Sequence, residues 1–313
     1  MLLYVLRRLA LGVVLALLVT LVTFLLLSFS FEDVVRTILG QSATPDTVDA
    51  LMAEKGYDRP LIVQYGEWLG GAFTGDFGDS AYTSVSVAPT VVQRLGVTMS
   101  VIIPALLIMV VVSVALGLWS AARGGVADRV AQLISLIGYV VPPLLLAIVL
   151  VYVLGVRLKW LPATGFTEFG DDPAAWARSV TIPVTVLVIG GIANMTAQVR
   201  GRMIDELRRD YIRTLRTRGV STRSILLRHA LRNAASPALT VLSLEFIQIF
   251  GSALIIENVF ALPGFGSYAF NASLQGDIPI IMCVTTFGVL LVIAVNLITD
   301  LANGWLNPKA RVH

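Results

Sequence analysis

Six long stretches of this chain are almost free of charge, and that constrains the fold more than any other feature. Residues 9–31, 95–122, 130–156, 179–199 and 278–299 hold no Asp, Glu, Lys, Arg or His, and a sixth, 233–256, holds only Glu245. A helix needs roughly 20 apolar residues to cross the hydrocarbon of a bilayer. Only hydrogen bonds within the segment can satisfy its backbone there. Each stretch is a solid apolar block without the period-two alternation of a barrel strand. The expected fold class is therefore all-α polytopic membrane protein with six transmembrane helices. Composition agrees: 56% of residues are hydrophobic and 14% charged, where soluble domains carry about a quarter charged residues. That balance excludes a water-soluble enzyme. The first block runs 23 residues, longer than the roughly 7–15 of a signal-peptide core, and no A-x-A site follows it. It is expected to stay as a membrane helix.

Orientation follows from the basic residues. With the N-terminus inside, Arg7, Arg8, Arg123, Arg129, the ten arginines from Arg200 to Arg232, Lys309 and Arg311 all face the cytoplasm. Sixteen of the 23 basic residues then lie inside with five acids, and seven lie outside with fourteen acids. Both termini are expected in the cytoplasm. The chain then divides into an N-terminal transmembrane helix (1–31), an extracytoplasmic segment (32–94), a five-helix core (95–302) carrying a cytoplasmic loop (200–232), and a cytoplasmic tail (303–313). A single cysteine, Cys283, and two histidines, His229 and His313, leave no disulfide and no histidine- or cysteine-rich metal site.

The loop 200–232 is the most informative segment. Met203, Ile204, Leu207, Tyr211 and Leu215 fall at helical spacing, with Arg208, Arg209, Arg213 and Arg216 on much of the remaining surface. Gly219 is placed to end this helix in a left-handed cap. Ser221 or Thr222 can cap a second one carrying Ile225, Leu226, Ala230 and Leu231. The spacing predicts two short amphipathic helices with a bend at Gly219. A basic loop resting on anionic headgroups explains the arginines but not the helix–glycine–helix pattern. That pattern suits docking into a groove of a soluble partner. Nucleic-acid binding is not supported, because no aromatics interleave with these membrane-tethered arginines.

The segment DYIRTLRTRG…LLRHALRNA resembles the coupling loop of ABC-transporter permeases, in particular the B-type subunit of dipeptide and oligopeptide importers. In the general pattern, E-A-A precedes a glycine by three residues, and I-x-L-P follows nine later. Here Arg213, Thr214 and Leu215 stand in the E-A-A place, Gly219 is the glycine, and His229 to Arg232 stand for I-x-L-P. The opening YVLRRLALGV, the run RPLIVQYGEWLGGAFTGDFGDS (59–80), IIENVFALPGFG (255–266) and the ending TDLANGWLNPKAR, with Asn307 where the family has Asp, resemble the same family in the same order.

The resemblance implies a type I ABC importer permease fold in a bacterial inner membrane. It also implies a second homologous permease subunit, two ATP-binding subunits that carry ATP and Mg, an extracytoplasmic substrate-binding protein, and a peptide substrate. It assigns the partner contact to Asp210, Tyr211, Arg213, Thr214, Leu215, Gly219, His229 and Arg232. Tyr211 and Leu215 are expected to bury in the ATPase groove, and Asp210 and Arg213 to pair across it. Independently, the lysines Lys55, Lys159 and Lys309 never follow a glycine, so the chain has no Walker A lysine. It is expected to be a non-catalytic subunit without a cofactor of its own.

Four polar residues sit inside the apolar blocks. Glu245 is costly in hydrocarbon and must face protein or a watery cavity. Gln248 shares its face, and Asn194 and Gln198 form an i, i+4 pair on the fourth block. Two readings stand for them: lining of a translocation path, or interhelical hydrogen bonds that fix packing. A proton-coupled secondary transporter using Glu245 is a rival function class, as is the same permease type carrying a nickel chelate or an oligosaccharide. Pro142-Pro143 must interrupt the third block. Trp68, Phe73, Phe77 and Tyr82 mark the acid-rich segment 32–94 as a small cap.

Overall fold

The computed structural model describes residues 2–306. The C-terminal match around Asn307, with Lys309 and Arg311, lies outside the described residues. The chain is helical nearly throughout: α1 (Leu2–Ser28), α2 (Phe31–Leu39), α3 (Pro45–Lys55), α4 (Leu61–Thr74), α5 (Val87–Arg123), α6 (Gly125–Val140), α7 (Pro143–Leu150), α8 (Pro173–Leu207), α9 (Asp210–Thr217), α10 (Thr222–Ser224), α11 (Leu231–Phe260), α12 (Phe265–Gln275) and α13 (Ile278–Leu306). Among the described residues, five helices, within α1, α5, α8, α11 and α13, are long and apolar enough to cross a membrane.

The third apolar block differs from a straight span. It is divided between α6 and α7, with a π-helical continuation over Val151–Arg157, and its two halves are bent by 93°. Pro142 and Pro143 are the cause. Neither has an N–H to continue the helical ladder, and Val141 and Pro142 both take extended ψ angles, 116° and 130°. Counted as one bent span, this pair is the sixth.

The chain forms two compact units. The first comprises the residues up to Gly96 together with Pro263–Ala294. Its core joins Phe24, Phe31, Val34, Tyr65, Ile278 and Met282. An aromatic series extends it: Phe31 stacks on Tyr57 at 4.4 Å, Tyr65 on Trp68 at 5.6 Å, and Phe77 meets Trp68 and Phe287 edgewise or tilted. Tyr65 is pinned to α1, its Oη lying 3.0 Å from Thr20 Oγ1 and donating to Leu17 O. The stretch after α4 is held by a buried carboxylate. Ser80 Oγ donates to Asp277 Oδ2 at 2.6 Å, with Asp277 fully buried, and Tyr82 Oη donates to Gln275 O. Segment 32–94 thus contributes three helices, α2 to α4, to a folded unit that includes α12 and much of α13. Phe73 takes no part and is exposed.

The second unit comprises Val97–Leu262 and the residues from Val295 onward. Helix α8 is its centre, with Ile182, Val186, Met195, Val199 and Met203 all buried. It packs on α6, α7 and α11. The α6 contact is close enough to require glycine, since a Cβ on Gly138 would lie 2.6 Å from Ile189 O. Near one end of α8, Arg200 makes a two-pronged ion pair with Asp128 of α6, which also accepts from Ser120 and Gln132. At the far end of α11, Glu257 is buried and accepts from Thr98, while Leu262 N returns to Glu257 O at 2.8 Å.

Candidate functional site

Two sites in the second unit gather the polar residues that matter. The first is the arginine-rich turn between α8 and α11. The two short amphipathic helices expected around the Gly219 bend are not both separate elements. Helix α8 runs on through Met203 to Leu207, stops at Arg208–Arg209, and the chain restarts as the eight-residue α9. Beyond the bend, α10 passes through a π-helical stretch, Ile225–Ala230, directly into α11. The amphipathic helices are therefore extensions of two membrane helices, with only α9 set apart.

Gly219 ends α9 as expected. Its φ is +75°, a conformation side chains with a Cβ disfavour. Its N–H bonds to Arg216 O at 3.0 Å, and the next N–H, of Val220, bonds to Leu215 O at 3.1 Å. These two bonds form a Schellman motif, with Val220 and Leu215 packed on the same apolar cluster. A Cβ at Gly219 would meet nothing within 4 Å, so the requirement there is conformational and not steric. Ser221, not Thr222, is the next cap, its side chain accepting from Ser224 N at 3.4 Å.

Ile212 is fully buried against Met203, Ile225, Ala230 and Ala234, with Tyr211 and Leu215 packed around that cluster. Tyr211 and Leu215, expected to bury in the partner's groove, are half-buried against this chain's own cluster. Asp210, Arg213 and Thr214 point outward with Arg216 and Thr217. Asp210 and Arg213 pair with each other at 3.4 Å within the chain, both exposed. His229 is half-buried in the π-helical stretch, and Arg232 is exposed at the start of α11.

Sequence reasoning missed Glu206. It is 5% exposed and takes two hydrogen bonds and one ion pair. Tyr211 Oη donates at 2.8 Å and Asn233 Nδ2 at 3.0 Å to one carboxylate oxygen, and Arg209 Nε lies 3.0 Å from the other. Asn233 Nδ2 also donates to Tyr211 Oη at 3.1 Å. Burial, then the Glu206 carboxylate, push the Tyr211 hydroxyl above its usual pKa, so it remains a donor. Glu206 and Tyr211 are five residues apart. On an unbroken helix they would lie about 140° apart around the axis, so helical spacing gave no signal.

The second site surrounds Glu245, which is buried at 4% exposure. It lines a cavity of about 210 Å³ together with Gln248, Tyr139, Pro143 and Gly191. Asn194 of α8 lies on the same cavity. A Cβ on Gly191 would collide with Met109 Sδ and lie 3.3 Å from Glu245 Oε2, so glycine keeps this space open. The Pro142–Pro143 break forms one wall. Three of the four polar residues named from the sequence thus converge. Gln198 does not: it is exposed, outside the cavity.

The geometry can be set beside known proteins. Residues 113–312 match the family model described as binding-protein-dependent transport system inner membrane component. Residues 1–102 match the model for the N-terminal part of such membrane components. A protein named as a peptide transport system permease in Brucella abortus (strain 2308) is 35% identical, over 98% of each chain. One named as a peptide ABC transporter permease in Sinorhizobium fredii is 34% identical, over 98% of this chain and 99% of its own. The oligopeptide transport system permease protein AppB of Bacillus subtilis is 28% identical over 98% of both.

Proposed function

This chain belongs to the family of binding-protein-dependent transport system inner membrane components, and from that premise we propose that it is one membrane subunit of an ATP-driven peptide importer. Peptide is the cargo because full-length relatives carry that name. The complex pairs this chain with a second, similar permease, two ATPases that hold ATP and Mg, and an extracytoplasmic binding protein. The chain itself is non-catalytic and lies in the bacterial inner membrane, with both termini and the turn around α9 in the cytoplasm. Placing the arginine-rich turn inside obeys the positive-inside bias.

The observation that carries this reading is α9. It is a short helix anchored by one buried residue, Ile212, and ended by a Schellman turn at Gly219, with a polar outer face of Asp210, Arg213, Thr214 and Thr217. The exposed polar face of this helix is the surface that meets a soluble partner, here the ATPase. Closure of the ATPase pair on ATP then displaces α9 and rocks the helices it joins. Glu245, Gln248 and Asn194 line the translocation path, where the carboxylate meets the amine or amide groups of a passing peptide.

The test uses the whole complex in proteoliposomes with a labelled casein-derived peptide mixture. Gly219→Val places a β-branched residue in the left-handed region, at a cost of at least about 1–2 kcal/mol. Peptide carried per ATP hydrolysed is expected to fall at least tenfold. An unchanged ratio overturns the coupling role. Uptake that needs ATP and survives collapse of the proton gradient separates this reading from an ion-coupled carrier.

A further inference from the structure

The pair of hydrogen bonds and the ion pair at Glu206 reach beyond packing. Its partners come from different elements: Tyr211 from α9, Asn233 from the start of α11, and Arg209 from the break between α8 and α9. That break is where α9 can turn relative to α8. The N–H groups of Arg208 and Arg209 bond three residues back, to Asp205 O and Glu206 O, in place of the four-residue ladder, and Arg209 takes an extended ψ of 150°. If α9 were held only by Ile212 and its apolar neighbours, a push on α9 would be taken up by rotation at the break, since apolar contacts are non-directional. Hydrogen bonds to a buried carboxylate are directional and strong, and two of them, from α9 and α11, with the Arg209 ion pair beside them, remove that freedom. The side chains of Glu206, Tyr211 and Asn233 close a triangle with sides of 2.8, 3.0 and 3.1 Å.

We propose that Glu206 is the positioning residue of the coupling turn: it latches α9 simultaneously to α8 and α11, so that displacement of α9 moves both membrane helices as one body. This rests on the coupling role assigned to α9 above. The latch touches neither the cargo nor the nucleotide, and its loss separates ATP hydrolysis from transport. Glu206→Gln keeps the size but turns an amide NH₂ toward the Arg209 or the Tyr211–Asn233 side, where donors already stand. Tyr211→Phe removes only the hydroxyl. Asn233→Ala removes the third corner.

The experiment measures peptide carried per ATP hydrolysed in proteoliposomes holding the complete complex, with the same casein-derived peptides. Complex assembly and melting temperature are recorded alongside. Expected are a roughly tenfold fall for Glu206→Gln and a few-fold fall for Tyr211→Phe and for Asn233→Ala. The Tyr211→Phe, Asn233→Ala pair is expected to fall less than the product of the singles, as members of one network do. A purely stabilising network would lower the melting temperature and leave the peptide-to-ATP ratio alone, which overturns the proposal. If Glu206→Gln fails to assemble, Tyr211→Phe decides by the same ratio. Gly219→Val, run in parallel, separates the two layers. If it uncouples while the Glu206 and Tyr211 variants do not, the latch falls and the coupling role stands. If none of the three changes the ratio, both fall.

Discussion

Two buried glutamates in the same unit have opposite surroundings. Glu206, 5% exposed, has its oxygens occupied by Tyr211, Asn233 and Arg209. Glu245, 4% exposed, shares an open cavity of about 210 Å³ with Asn194. Burial alone does not distinguish them. A carboxylate whose lone pairs are filled by its own chain is fixed in place and serves the fold's mechanics. One with lone pairs left facing a cavity can meet something that arrives. The first belongs to how force is carried in this chain, the second to what is carried.

The largest expected effect sets one glutamate against the other. Glu206→Leu leaves Tyr211, Asn233 and Arg209 without their acceptor, and losing hydrogen bonds to a buried carboxylate costs about 1–3 kcal/mol. Glu245→Leu removes a buried acid beside a cavity, and its cost is expected to be under about 1 kcal/mol, because an apolar residue relieves the desolvation of a carboxylate. Thermal unfolding of the two variants in the same detergent checks this. Equal losses would end the distinction.

The next effect lies at the cavity. Gly191→Val drives a side chain into Met109 and toward Glu245. Uptake of the casein-derived peptides is expected to drop severalfold while the peptide-to-ATP ratio of residual turnover holds. A fall in that ratio would place the site among the coupling elements. A gentler change, Glu245→Gln, keeps volume and removes charge. It is expected to shift preference among peptides by a few-fold in competition assays, with melting temperature steady. Unchanged uptake and unchanged preference would remove Glu245 from the path and return it to helix packing.

The sequence made some of this legible and hid the rest for physical reasons. The spans were readable because lipid leaves a backbone one solution, a long run of satisfied helix. Gly219 was readable because a positive φ is a local demand of one residue. The proline pair announced a break but not its 93°, which depends on how α6 lies on α8 where Gly138 meets Ile189. Asn194 and Gln198 share a helical spacing, yet Gln198 sits about 6 Å further along the axis, past the end of a small cavity. Glu206 was invisible because its partners depend on where α8 stops. No periodicity predicts a contact made across a break in the period.

The smallest expected effect concerns Arg213, and it tests the outward face of α9 with least disturbance. Its ion pair with Asp210 is long, 3.4 Å, and both side chains are largely in solvent. Exposed pairs of this kind contribute little to stability, so Arg213→Ala should leave the melting temperature of the isolated chain unchanged. Glu206→Leu, 7 positions earlier in the chain, should not be so silent. The same Arg213→Ala substitution removes a charge from the surface proposed to meet the ATPase. A modest weakening of subunit association, about two- to fivefold and diminishing as salt is raised, is therefore expected in a pull-down titration of the ATPase against the permease. Association unchanged at low salt would move the docking face to another part of α9, with Thr214 and Thr217 the next residues to substitute.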